Sequence, residues 1–333
     1  MCSSDLVASR LAGNATVNRG PRGVPLTPVS VASNLAFMLA LLAAGVAARR
    51  AGLLTPRRRD ALTDAAFYLA LPALVYSSTY AQPLGEVLSI RLVAGVVGAL
   101  VVGIGLSWIL HRRRSDAAAR SVAVVQSYHA NLGFLGLPLV AATFGAGAVE
   151  AGKASVILGV GALVHVPATV TILSLVNDAE ADLASEALSL LRNPVLVALT
   201  AGLASAAVGW TPPDAVATGL SWLAELALPI ALLGVGASLA LEGVSIDYPT
   251  VGAVAGTKLI AMPLIAFAVF SALGGAPSTV RAGAVMFAMP TAVSTFVYAS
   301  ALGGDDGLAS VNVFATTVAS AATLLPVLWV VGP

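Results

Sequence analysis

Charge is what this chain has least of. Asp, Glu, Lys and Arg make up 10% of its 333 residues, against 58% hydrophobic residues. A soluble domain carries roughly 25% charged residues, and a soluble fold of this length cannot withdraw so much apolar surface into one core. The formal net charge of +1 leaves no basic domain for nucleic acid. Cys2 is the only cysteine, which excludes an internal disulfide and a thiolate metal site. No cofactor or metal is expected. The H-E-x-x-H, G-x-S-x-G and G-x-x-x-x-G-K-[ST] motifs are absent, as are paired aspartates within an apolar run. These absences speak against an enzyme and against a self-contained ATP-driven pump.

What is present is a series of apolar runs. A membrane span needs roughly 20 apolar residues. The sequence predicts an all-α membrane protein with ten spans, near 31–48, 61–80, 91–110, 119–142, 152–174, 194–210, 217–239, 250–272, 281–301 and 309–331. Residues 1–30 contain Arg10, Arg19 and Arg22 without an apolar core. They are expected to form a flexible tail, not a cleaved signal peptide. Asn14-Ala15-Thr16 fits a glycosylation acceptor, a triplet common by chance. An acidic connector, 177–192, carries Asp178, Glu180, Asp182 and Glu186. It separates a first five-helix repeat, 31–176, from a second, 193–333.

Arginines set the expected orientation. Arg49, Arg50 and Arg57 to Arg59 lie between spans 1 and 2, and Arg112 to Arg114 with Arg120 between spans 3 and 4. Cytoplasmic loops carry such an excess. Both termini are therefore expected outside a cell (plasma) membrane, with the connector cytoplasmic.

The two halves share a pattern. Ala-Leu-Pro recurs in the second span of each, at Pro72 and Pro229, and the fourth span of each holds a proline, Pro138 and Pro290. Halves with an odd number of spans insert with opposite orientation, the signature of an inverted repeat and of a transporter. Span 4 reads Asn131-Leu132-Gly133-Phe134-Leu135-Gly136-Leu137-Pro138. Proline removes a backbone donor and clashes with the preceding turn, so the helix is expected to break near Gly136–Pro138. In span 9, Pro290 is followed by Thr291 and Ser294. Two such breaks would place half-helix ends and polar groups at mid-membrane, where N-termini favour anions.

At this motif the chain resembles the auxin efflux carrier family, related to the bile acid:sodium symporters. NLGFLGLP fits the N-x-G-x-x-G-x-P pattern of the family's fourth span. LALPALVYSS at 69–78, RNPVLVALTAGL at 192–203, LALPIALLGVGASL at 226–239, TKLIAMPL at 257–264 and FAMPTAVSTFVYASALG at 287–303 are also similar. The resemblance covers roughly 31–331. It implies two inverted five-helix repeats with crossing fourth and ninth spans. It also implies secondary transport of a small organic anion, auxin-like or a dicarboxylate such as malate or malonate. A proton, a sodium ion or the membrane potential would drive it, and a homodimer is a family-level expectation. Expected substrate contacts are Asn131, Gly133, Gly136, Pro138, Pro290, Thr291 and Ser294. A channel or receptor using the same pocket is the alternative. The long hydrophilic loop of the plant carriers is missing, and beyond Arg120 and Arg281 at their edges neither span 4 nor span 9 holds an Arg or Lys to meet a carboxylate.

Ionisable residues within spans are costly and usually functional. Glu225 in span 7 and Lys258 in span 8 are candidates for an ion pair or for coupling. His129 precedes Asn131 by two positions, so on a helix it points to another face. It is either a packing residue or a proton-coupling one. His165, beside Pro167, is read as a packing residue, and His111 adjoins an Arg cluster. Gly95, Gly98, Gly103, Gly234 and Gly236 are spaced for close helix packing.

Overall fold

A computed structural model describes residues 28–238 and 246–331. The expected tail and glycosylation triplet fall almost wholly outside these residues, and Pro28 already begins the first helix.

The described chain is helical. In order come α1 (Pro28–Arg50), α2 (Pro56–Ala65), α3 (Leu71–Ser77), α4 (Leu84–Val87), α5 (Ile90–His111) and α6 (Ala117–Tyr128). Then follow α7 (Leu137–Phe144), α8 (Val149–Asn177), α9 (Leu183–Leu191), α10 (Pro194–Val208), α11 (Asp214–Glu225) and α12 (Ala227–Ser238). The last are α13 (Tyr248–Gly256), α14 (Met262–Ala272), α15 (Pro277–Phe287), α16 (Ser294–Ala301) and α17 (Asp306–Val331). Among the described residues, five stretches are long and apolar enough to cross a membrane: 84–111, 149–177, 214–238, 248–272 and 306–331. A bent pair, α9 with α10, would make a sixth. The other spans expected from sequence coincide with α1 or with helices in pieces. Large apolar side chains stay exposed on the outside, including Leu175 at 75%, Val208 at 78% and Trp329 at 75%. At roughly 25 cal/mol per Å² this exposure disfavours water as the surrounding medium and suits lipid. The protein is a multi-pass membrane protein.

Three short π segments interrupt these helices: Ala66–Ala70, Leu132–Gly136 and Thr257–Ala261. Each ends one residue before an X-Pro pair that opens the next helix, at Pro72, Pro138 and Pro263. The cause is local. A proline in an α-helix clashes with the carbonyl four residues back and offers it no N–H. The residue before each proline bonds five residues back instead, Leu71 to Ala66, Leu137 to Leu132 and Met262 to Thr257. One wide turn absorbs the misfit, and the chain continues as helix.

The helices pack in two groups. In one, α1 lies along α12, while α3 is flanked by α10 and α11. Backbones approach closely there: a Cβ on Gly45 would sit 2.4 Å from the Leu233 carbonyl oxygen, and one on Gly236 would sit 2.3 Å from that of Leu42. In the other group, α8 packs on α5, α6, α7 and α15, and α14 packs on α5 and α15. The Phe270 ring of α14 is slotted between Gly95 and Gly283, where added Cβ atoms would each meet it at 2.3 Å. The expected packing role of Gly95 and Gly236 is therefore visible in the contacts.

Candidate functional site

The chain between α6 and the second π segment leaves the helix at His129, Ala130 and Asn131, which are extended or nearly so. The break therefore lies at 129–131, not at Gly136–Pro138 as the sequence reading placed it. The π segment accommodates Pro138, and the chain opens one turn and more upstream of it. A second break spans 288–293, between α15 and α16, and contains Pro290 as expected.

The two breaks meet. Ala130 and Thr291 form an isolated antiparallel bridge. Asn131 N–H donates to the Pro290 carbonyl at 2.8 Å, and Ala292 N–H donates to that of His129 at 3.0 Å. Backbone groups freed in an apolar interior must find partners; here each break satisfies the other. Side chains complete the junction. Thr291 Oγ1 donates to the Gln126 carbonyl at 2.7 Å. Gln126 Nε2 donates to Thr295 Oγ1 and to the Ala309 carbonyl, both at 3.0 Å. Asn312 Nδ2 donates to Gln126 Oε1 at 2.8 Å. Lys258 is fully buried, and its Nζ donates to the carbonyl of Phe287, the last residue of α15, at 2.8 Å. A cation at a helix C-terminus is favourably placed.

Beside the junction lies a cavity of about 600 Å³. Its wall includes His129, Asn131, Gly133, His165, Ser294 and Tyr298, and its outer part includes Ser185, Ser189 and Arg192 at α9 and the α9–α10 joint. Among the described residues, no Asp or Glu lines it. Two half-helix N-termini edge it: Asn131 caps the second π segment, its Oδ1 accepting from Phe134 N–H at 3.2 Å, and Ser294 opens α16. Such ends carry unsatisfied N–H groups and a partial positive charge. Asn131 Nδ2 is buried and has no hydrogen-bond partner among the described residues.

Of the substrate contacts expected from sequence, Asn131, Gly133 and Ser294 line this cavity. Thr291, Pro290, Gly136 and Pro138 do not: Thr291 and Pro290 belong to the junction, Gly136 leaves room for Met286 and Met289, and Pro138 opens α7. His129 and Asn131 share the cavity wall, contrary to the helix-face argument. Residues two apart point the same way when the backbone is extended. The Glu225–Lys258 ion pair is not formed. Glu225 is exposed at the end of α11 and makes no ion pair among the described residues, whereas Lys258 bonds to backbone. The sequence reading passed over Gln126 and Asn312 and did not place Arg192 in the site; a Gln and an Asn inside apolar runs were the available signal. It also read 177–192 as polar connector, where α9 forms with Asp182 as its N-cap.

On the opposite end of α8 from α9, the two helix groups touch through polar contacts. Ser78 Oγ lies 2.9 Å from Ser155 Oγ, and Gln82 Nε2 donates to the Gly147 carbonyl at 2.8 Å. The cavity end of α8 is tied instead to the start of α6, by Asn177 Nδ2 donating to Ser121 Oγ at 3.0 Å.

A family model described as membrane transport protein matches residues 30–328. A protein of Rhizobium meliloti (strain 1021) named "Putative malonate transporter" is 27% identical over 276 residues, which are 79% of this chain and 84% of that one.

Proposed function

Because the chain belongs to the membrane transport protein family, the auxin efflux carrier-like group whose motifs it carries, we propose that it is a secondary-active transporter of a small organic anion, a dicarboxylate such as malonate. In this reading the helices form ten spans in two inverted five-helix repeats, and the broken fourth and ninth spans cross at the junction of Asn131 with Pro290. The observation that carries the proposal is that junction itself: two helix breaks bonded backbone to backbone beside a cavity without a carboxylate. Broken helices with N-termini aimed at an anionic ligand are how such transporters hold substrate near the midplane. Asn131, Gly133 and Ser294 contact the anion, while Gly136, Pro138, Pro290 and Thr291 hold the breaks in register. The group of α1, α3, α10, α11 and α12 serves as scaffold, and the group around α8 moves against it. The cavity opens on the end of α8 that adjoins the Arg112–Arg114 loop, which the positive-inside rule assigns to the cytoplasm. The chain is thus in an inward-facing state. The malonate in the relative's name supports a dicarboxylate.

The test is uptake of labelled malonate, malate and indole acetate by purified protein in liposomes, under imposed proton gradients, sodium gradients and membrane potential. Saturable uptake of a dicarboxylate, lost in Asn131→Ala, is the expected result. Conductance that does not saturate would mean a channel, and binding without flux a receptor. No saturable uptake of any organic anion would sink the transport reading.

A further inference from the structure

Two imidazoles face each other in the cavity wall. His129 comes from the first break and His165 from the middle of α8; their ring centroids are 4.3 Å apart and their planes within 12°. Both side chains are buried. A packing histidine in an apolar interior has its ring nitrogens occupied by partners. His129 meets this at one nitrogen, since its Nδ1 lies 2.8 Å from Thr169 Oγ1, which also meets the Tyr128 hydroxyl at 3.1 Å. His165 is less well satisfied: the Tyr128 backbone faces its ring, but among the described residues its buried Nε2 has no partner at hydrogen-bond geometry. Asn131 Nδ2, on the same wall, has none either. Two unpartnered polar nitrogens beside a cavity edged by helix N-termini describe half of a binding site whose other half is an acceptor.

We propose that His129, His165 and Asn131 form a carboxylate subsite in which the imidazole pair holds one proton, so that one proton travels with each substrate anion. The inference rests on the transport reading and adds the coupling ion to it. A carboxylate within a few ångströms favours the protonated imidazole, and removal of the carboxylate disfavours it again. A second proton would set two cations face to face in an apolar wall, so the pair stops at one. The proton passes from water to an imidazole nitrogen as the anion enters and returns to water when the anion leaves on the other side. No bond other than N–H changes.

The surroundings suit a site that is neutral when empty. The groups near the pair on neighbouring elements are Tyr128 on α6, stacked on both rings, and Lys258 on the third π segment; Tyr298 on α16 and Arg192 line the same cavity, and Glu186 on α9 is the carboxylate closest to Arg192 along the chain. Glu150 and Lys153 on α8 itself are at least 12 residues from His165, about 18 Å along the helix. Among the described residues, no carboxylate lines the cavity to hold the proton in the substrate's absence. Arg192 at the mouth supplies a second positive group, so an anion with two carboxylates spans the site better than one with a single carboxylate.

The deciding experiment uses the full chain in liposomes loaded with a pH-reporting dye. Malonate uptake and internal acidification are followed together across external pH 5.5–8, for wild type and His165→Gln. Expected for wild type is acidification in step with uptake, one proton per dianion, and competition by succinate at least tenfold stronger than by propionate. Expected for His165→Gln is residual saturable uptake with the accompanying acidification gone and a flattened pH profile; titration of malonate itself is common to both proteins. Wild-type uptake with no proton movement, or a His165→Gln variant that keeps the wild-type pH profile and acidification, would overturn the subsite. If His165→Gln does not fold, the same readouts on His129→Gln decide. Absence of saturable uptake of any organic anion at any pH strikes at the transport reading instead.

Discussion

Lys258 concentrates several constraints in one side chain. It is fully buried, its ammonium is bonded to the last carbonyl of α15, and it sits behind the junction. Exchanging a buried charge for an apolar residue of similar length is often neutral for stability, because desolvation of the charge is also removed. Lys258→Met is therefore expected to keep its thermal midpoint in detergent within a few degrees. Its uptake is expected to fall at least tenfold, equivalent to about 1.4 kcal/mol, because the carbonyl end of α15 loses its counter-charge. A collapse of stability with normal uptake per folded molecule would contradict this. Asp247 outside the spans gives a different residue-scale test. It caps α13 through Thr250 N–H at 3.2 Å, and the Thr250 hydroxyl hydrogen-bonds its other oxygen. These bonds, with Arg114 adding to them, hold its carboxylate below the usual range. A depressed carboxylate stabilises above its unfolded-state pKa and loses that contribution as pH falls through the folded value. Asp247→Asn should thus melt earlier than wild type at pH 7, and the difference should vanish in strong acid. A gap that widened on acidification would refute the assignment.

At the scale of elements, proline acts at a distance. Pro138 does not break its helix; it imposes a π turn over Leu132–Gly136 that sets the rotation of Asn131 at the turn's start. Pro138→Ala removes the need for the wide turn and should let it tighten by one residue. The fold should survive, with the apparent KM for substrate raised roughly tenfold, about 1.4 kcal/mol; an unchanged KM would detach the π turn from the site. This displacement explains what the sequence concealed. Apolar length alone marked where helices run, and the Asn-Gly-Gly-Pro cluster marked the right stretch of chain. The point of rupture was misplaced because a proline's misfit can be taken up locally or passed upstream, and the choice depends on the bonds that Pro290 and His129 offer across the junction. The same tertiary bonds made His129 and Asn131 neighbours in one wall, which a helical wheel could not show. In α9, four acidic residues in and around the segment masked the apolar positions Leu183, Leu188 and Leu191.

In the proposed inward-facing state the molecule is closed at one end and open at the other. Ser78 and Ser155 join the two helix groups on the closed end, their hydroxyl oxygens 2.9 Å apart. Cysteines at both positions would be within reach of a disulfide, and Cys2 is the only native thiol. The doubly substituted protein, with Cys2 changed to Ser, should lose uptake on oxidation and recover it on reduction. Full activity in the oxidised form would show that these groups do not part during transport.

The cavity's lack of acidic lining has an electrical side. With no resident negative charge to cancel, the loaded site differs from the empty one by whatever charge its cargo brings. A dianion with one proton moves one net negative charge, and each such charge is worth about 2.3 kcal/mol per 100 mV. An inside-negative potential of that size would tilt accumulation about fiftyfold toward exit. The resting voltage of the cell would then decide the direction in which the carrier runs, and a potassium diffusion potential of reversed sign would turn it round.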